Sequence, residues 1–357
     1  MSIATRVAAA FVAAGLIATL PAADTKSSKD SKSNNKNAKN AKSAANVAPA
    51  APKDGIKTPG VQIPAASLKS EAEIPVDGPG WIAVADSVMV ESKQKDSLIR
   101  IDPKANKPLD PVSDLKKPCS GAITAFGTLW IPNCETQTVV RADPKTFKVS
   151  ATLAIGTADV SMGLAATADS VWMLTDGRTT LSRIDPVVNK VVGEMRMPAG
   201  CNQLLFADNS LWLTCPLDNE VYRINPEANL IDKHIEVSAG PRSMASGDNS
   251  IWVLCDKQGK VDRIDPKTNK VTKTIELNVP NAGGSIAYGE GYLWVTETGF
   301  PITRIDTQSE KVAQQFWGAD EGGGQIVAGS GAIWLTDASH GKVIRFDPKR
   351  ILATLAE

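Results

Sequence analysis

The chain has 357 residues, of which 42% are hydrophobic and 22% charged, and its 39 Lys and Arg balance 39 Asp and Glu to a formal net charge of zero. Such a balance excludes a chain dominated by one sign of charge, and one apolar N-terminal stretch aside, no segment is apolar enough to cross a bilayer. The charge is unevenly placed, however: residues 1–66 carry nine Lys or Arg against three Asp, which leaves −6 for residues 67–357.

Residues 1–23 read as a secretory signal peptide, with Arg6 ahead of an apolar stretch over residues 7–20 and the small residues Ala22 and Ala23 behind it. This predicts an exported protein, periplasmic or secreted, with no transmembrane segment in its mature form. No cysteine follows the apolar stretch, so a lipid-anchored form is not supported. Residues 24–66 are Lys, Ser, Asn, Ala and Pro almost throughout, lack aromatics, and bury too little to offset the entropy of ordering. They are expected to form a disordered, solvated linker whose basic charge suits contact with an anionic surface.

From residue 67 to 357 one pattern repeats seven times. Trp130, Trp172, Trp212, Trp252, Trp294 and Trp334 recur every 40 to 42 residues, and Met89 holds the place in the first copy. Behind each comes an Arg and then turn chemistry: Arg100 with Pro103, Arg141 with Pro144, Arg183 with Pro186, Arg223 with Pro226, Arg263 with Pro266, Arg304 with Asp306, and Arg345 with Pro348. A repeat of this length built from short strands predicts an all-β, seven-bladed β-propeller with four antiparallel strands per blade. In the fifth copy the strands are expected around residues 244–246, 251–254, 260–264 and 271–277. The Trp then fills the gap between adjacent blades, the Asp-Pro pair stops the third strand, and the Arg reaches toward solvent or a turn carbonyl. These positions are structural. To close the ring, residues 70–76 and 351–355 compete for one edge, and the N-terminal segment is favoured because the last copy has lost residues in its final turn.

The string of Gly240, Pro241, Ala245 and Gly247 leading to Ile251, Trp252 and Val253, then Arg263, Asp265, Pro266, Thr268, Asn269 and Val271, resembles the repeat of seven-bladed YVTN-type propellers, with Trp in place of Tyr. It is similar too to the repeats of streptogramin lyase (virginiamycin B lyase) and NHL-type propellers. The likeness spans residues 70–357 and speaks for fold more than activity, since such propellers host many tasks.

Five cysteines remain in a chain read as exported. Cys119 and Cys134 lie symmetrically about a turn near Gly127, and Cys201 and Cys215 about a turn near Asn209, so each pair faces across its first and second strands and can form a disulfide. Each closes a short loop and is expected to stabilise by roughly 3 kcal/mol. Cys255 is left over and reads as a buried thiol.

Ligands belong on the face where blade-to-blade loops and second-to-third strand loops open together. Counting back ten residues from each Trp places Pro79, Ser120, Met162, Asn202, Arg242, Gly284 and Gly324 around the channel mouth. One place further in come Gly80, Gly121, Gly163, Gln203, Ser243, Ser285 and Gln325. Arg242 is the one ion in these layers; with Asn202, Gln203, Gln325 and Ser120 it is suited to an anionic or carbonyl-bearing group, or else pairs with an acid on a neighbouring loop. Each copy also sets an acid after its second strand, from Glu91 in the first to Glu297 and Asp337 in the last two, and these two share an offset of three from Trp. Together they are candidates for holding Mg²⁺ or Ca²⁺, or for acid and base roles.

Resemblance to streptogramin lyases implies histidines with a glutamate near magnesium at the mouth. This chain has two histidines, with His234 in an outer strand and His340 in an exposed hairpin, so that constellation is not expected. No nucleophile with a partnered base is visible, and no basic-aromatic groove suits nucleic acid. The leading expectation is an exported, non-catalytic propeller binding a protein or small-molecule ligand through this face. A metal-assisted lyase or hydrolase using Glu297 and Asp337 is the alternative, with no other cofactor expected.

Overall fold

Each copy of the repeat folds into one antiparallel sheet, because its four short apolar runs alternate with turns that reverse the chain. The computed structural model describes residues 54–113, 115–160, 162–318 and 322–355. The signal-peptide reading and most of the linker fall outside them. Seven sheets follow in chain order, beginning with blade 1 at Pro79–Val84. Blades 2 to 7 begin at Ile123–Ala125, Leu164–Ala166, Leu204–Ala207, Pro241–Gly247, Ser285–Gly289 and Ile326–Gly329. Blade 5 shows the full pattern, with Pro241–Gly247, Ser250–Cys255, Lys260–Asp265 and Lys270–Glu276 paired in sequence order. First strands of neighbouring blades contact one another around the axis.

The ring closes with chain from the N-terminal side. Ala72–Pro75 pairs antiparallel with Lys342–Phe346 as the outer strand of blade 7, burying Ile74. The competing C-terminal segment instead forms the helix Pro348–Ala353, started by Pro348 and by Asp347, whose carboxylate accepts from Lys349 N. Order also begins earlier than the linker boundary at residue 66. Gln62–Pro64 adds in parallel to Lys311–Trp317, making blade 6 five-stranded, because Ile63 finds a buried site that composition alone did not reveal.

All six repeated Trp side chains are fully buried. Each joins an apolar cluster made largely with the next blade: Trp252 packs with Ile286, Leu293, Val295 and Ile305 of blade 6, and Trp334 with Ile82, Val88 and Val90 of blade 1. The Trp252 indole N–H donates to Gly247 O at 3.1 Å. Gly247 must lack a side chain, since a Cβ there would lie 2.0 Å from the Tyr288 ring of the next blade. In blade 1, Trp81 from the inner strand joins Met89 in one cluster and supplies the aromatic bulk that the repeat position lacks.

The repeated Arg links blades rather than reaching solvent. Arg141, Arg183, Arg223, Arg263 and Arg345 lay their guanidinium groups over the Trp of their own blade, 4.4–5.6 Å from the ring centroid. Several then donate onward to the turn of the following blade: Arg141 to Pro186 O, Arg223 to Asn269 Oδ1 at 2.8 Å, Arg263 to Glu310 at 2.6 Å, and Arg345 across the closure to Asn106 at 3.2 Å. The turns themselves form as their residues dictate. Asp265 accepts from Lys267 N, while Asn269 takes the left-handed conformation it tolerates better than most residues. Such backbone bonds hold the carboxyls of Asp102, Asp143, Asp265 and Asp306 below the usual carboxylate range.

Candidate functional site at the channel mouth

Blade-to-blade loops and second-to-third strand hairpins meet around a cavity of ≈ 1060 Å³. Pro79, Gly80, Ser120, Asn202, Arg242, Gly324 and Gln325 line it, as the count back from Trp places them, whereas Met162 and Gly284 do not. Hairpin tips add Lys93, Asp96, Arg178, Leu217, Asp256 and Lys257. Counting back from Trp misses these because they follow it, in the turns between second and third strands; their signal is that they are the non-repeating part of a repeating text.

Several predicted ligand groups are engaged in joining blades. Gln203 bonds Met244 of blade 5 through both its atoms, accepting from N at 2.5 Å and donating to O at 3.0 Å. Asn202 donates to Arg242 O at 3.1 Å. Ser120 donates to Ala158 O and accepts from Val160 N, in the same manner as Ser243 accepts from Ile286 N and Ser285 from Ile326 N. This layer is therefore a set of inter-blade stitches in which small polar side chains satisfy backbone donors of the next inner strand. Gln203 does not line the cavity, while Gln325 does.

Arg242 meets an acid on a neighbouring loop while remaining partly open to the cavity. Its Nε donates to Gly284 O at 3.0 Å and Nη1 lies 3.8 Å from Asp256 Oδ2, yet the side chain stays 40% exposed. Gly284 itself must lack a side chain, for a Cβ there would sit 1.7 Å from Thr296 O of the adjoining strand.

Two carboxyls are buried around the mouth. Glu297 is fully buried, neither of its oxygens has a hydrogen-bond partner, and burial, aided by Asp256, pushes it up to about 8. Glu91 lines the cavity and accepts from Trp81 N at 3.2 Å; burial raises it to about 7 against the pull of Lys93. Both are held toward the neutral form below pH 7 for the reason that desolvation disfavours their charged forms.

Asp337 behaves oppositely. Burial pushes it up, but donors at Ser339 Oγ (2.7 Å), His340 N (3.1 Å) and the His340 imidazole (2.7 Å) outweigh that and hold its carboxyl below the usual range. No hydrogen bond joins Glu297 to Asp337 among the described residues, and these contain no group of three or more His, Cys, Asp or Glu able to hold a metal. A neutral carboxyl and a carboxylate already bonded to His340 are a poor donor set for Mg²⁺ or Ca²⁺. His234 lies away from this site, bonded to Glu220 at 3.0 Å and stacked near Tyr222 on an outer strand.

Disulfides join Cys119 to Cys134 and Cys201 to Cys215, with Cα atoms 5.9 Å and 4.1 Å apart. Cys119 is in the cavity wall. Cys255 is a buried free thiol, and burial with Asp262 close by pushes it up, away from reactivity. The disulfides fit an oxidising compartment. No helix among the described residues is long and apolar enough to cross a membrane.

No protein-family model and no curated protein matches the chain. Solved structures do. Virginiamycin B lyase from Staphylococcus aureus aligns with a TM-score of 0.65 at 20% identity, covering 77% of this chain and 98% of that one. A catalytically inactive form of that lyase with quinupristin also aligns with a TM-score of 0.65, at 19% identity over 77% and 98% of the two chains. BamB from Moraxella catarrhalis aligns with a TM-score of 0.57 at 11% identity, covering 79% of this chain and 98% of that one. What these matches establish is a similar fold: the seven-bladed β-propeller of this chain overlays on streptogramin lyase and, less closely, on BamB.

Proposed function

We propose that the protein is an exported, non-catalytic propeller that binds a ligand or protein partner through the face carrying the channel mouth. The observation that supports this is where the repeat breaks down. Around the ring, recurrent Trp, Arg and turn residues are committed to inter-blade packing, but the hairpin tips at the mouth carry unrelated ions beside Pro216 and Leu217, the latter 69% exposed. The ions that crowd these tips, Lys93, Asp96, Arg178, Asp256 and Lys257, support this reading, and among them Leu217 offers an apolar contact within a polar rim. Glu297 adds a second indication, because a fully buried carboxyl without a partner lowers stability, and such departures concentrate at functional sites. The metal-assisted lyase or hydrolase reading rests on Glu297 and Asp337 together with likeness of fold, and no hydrogen bond joins these two carboxyls among the described residues.

Arg242→Ala combined with Leu217→Asp is expected to remove whatever co-purifies with the protein from its native compartment, as read by mass spectrometry. Val187→Asp with Val192→Asp, on the turn and outer strand of blade 3, should leave it bound. The reverse pattern, or retention in both variants, would count against this face.

A further inference from the structure

The mouth differs in charge from the body that carries it. Residues 67–357 are acidic overall, yet five cations line the cavity: Lys93, Lys117, Arg178, Arg242 and Lys257. Four acids accompany them and are engaged: Glu91 accepts from Trp81 N at 3.2 Å. Asp159 pairs with Lys117 at 2.9 Å, Asp256 lies 3.8 Å from Arg242, and Asp96 accepts from Lys117 N at 3.2 Å. Lys93, Arg178 and Lys257 form no ion pair within 4.0 Å among the described residues. They project from blades 1, 3 and 5, so positive charge is spread over the ring, with Leu217 of blade 4 between. The cavity volume of ≈ 1060 Å³ lies at the upper limit of small-molecule sites.

We infer that the mouth takes an acidic peptide segment of a partner, its carboxylates distributed over Lys93, Arg178, Arg242 and Lys257 and an apolar side chain against Leu217. The inference rests on the face assignment above and names the chemistry of its ligand. Spread cations suit several carboxylates carried along one extended chain better than a single compact anion, which a convergent cluster would hold. Glu91 then sets a pH dependence. It faces Lys93 on its own hairpin, the Lys117–Asp159 pair across the blade 1 to blade 2 gap, and Trp81 N, and it ionises near pH 7. Below that pH the wall is neutral at Glu91 and the cations dominate; above it a new negative charge opposes the ligand.

A fluorescein-labelled octaglutamate peptide, with octaglutamine as the neutral control, tests this by anisotropy with the full mature chain at low ionic strength. Octaglutamate is expected to bind at least tenfold more tightly than octaglutamine at pH 6. It should weaken about tenfold by pH 8.5, the order expected for one added like charge near a partly desolvated ligand. Glu91→Gln, which keeps the acceptor for Trp81 N, made in a Glu297→Gln background so that the second carboxyl ionising within this window is silent, should abolish that pH step and retain binding. His340→Gln, made because Ala338 of the same hairpin lines the cavity, should preserve the step. Arg178→Gln with Lys257→Gln should weaken binding at least tenfold, and Lys190→Gln with Lys267→Gln on the opposite turns should not. Equal loss in the two Lys and Arg variants, loss in neither, or an unchanged pH step in Glu91→Gln with Glu297→Gln would overturn the inference. Loss in neither would place the binding on the basic N-terminal segment. If octaglutamate fails while Arg242→Ala with Leu217→Asp still strips a native partner, the face assignment stands and only the acidic-peptide chemistry falls.

Discussion

Trp252→Ala is expected to destabilise the protein by about 4 kcal/mol, the usual range for deleting a fully buried large aromatic. The effect is large because this indole belongs to two blades. It lies against Leu254 and Val261 of its own sheet and Ile286, Leu293 and Ile305 of the next, donates to Gly247 O, and sits beneath the Arg263 guanidinium. Arg263 in turn reaches Glu310 of blade 6. Alanine leaves a cavity at the junction and removes the platform that orients this Arg. Trp252→Phe should lose less, since a ring still fills most of the space while only the N–H bond disappears. Urea unfolding followed by far-ultraviolet circular dichroism measures both, and a loss under about 1 kcal/mol for alanine would mean that the junction is not where the ring draws its strength.

Glu297→Gln is expected to do the opposite and stabilise the protein near and above neutral pH. In the unfolded chain this carboxyl ionises near its ordinary value of 4.5, whereas in the folded state it does so at about 8. Between those values the native state binds more protons than the unfolded state, so stability falls as pH rises through that window and is fully present only below it. The difference amounts to on the order of 5 kcal/mol above pH 8. Gln is neutral throughout and matches the protonated carboxyl in shape, so its stability should lack that decline. Glu91 contributes a smaller decline between 4.5 and about 7, which Glu91→Gln removes separately. Thermal unfolding from pH 4 to 9 of the parent and both variants checks this. Parallel pH curves for the parent and Glu297→Gln would show that Glu297 is ionised in the folded state and has found a counter-charge.

The ring was legible in the residues because a propeller writes each blade with local signals. The Asp265 turn and the alternation through residues 271–277 each act within one hairpin, Trp252 marks its strand by position though it packs across blades, and recurrence over seven copies multiplied a weak signal. The mirrored Cys119 with Cys134 and Cys201 with Cys215 were readable for the same reason. What escaped was non-local. Arg141 and Arg223 find their acceptors one blade onward, more than forty residues away. Strand Gln62–Pro64 joins blade 6 across some 250 residues, and nothing in a Lys- and Pro-rich segment announces that Ile63 has a pocket waiting. At the mouth, counting back from Trp put Arg242, Gln325 and Ser120 on the cavity wall, whereas Gln203 lies off it, bonded to the backbone of the neighbouring inner strand, and Ser120 also bonds the backbone of the following blade-to-blade loop. The cations of the hairpin tips escaped because a count running back from Trp covers the inner-strand entries and never reaches the turns that follow it, where residue type does not repeat.

Repetition builds the ring, and the proposed function assigns recognition to the irregular mouth. A photo-cross-linking amino acid at Leu217, in the mouth, compared with one at Val187, exposed on the opposite turns, tests this in the native compartment. Adducts of one defined mass at Leu217 and none at Val187 are the predicted result. Adducts at Val187 with none at Leu217 would contradict it.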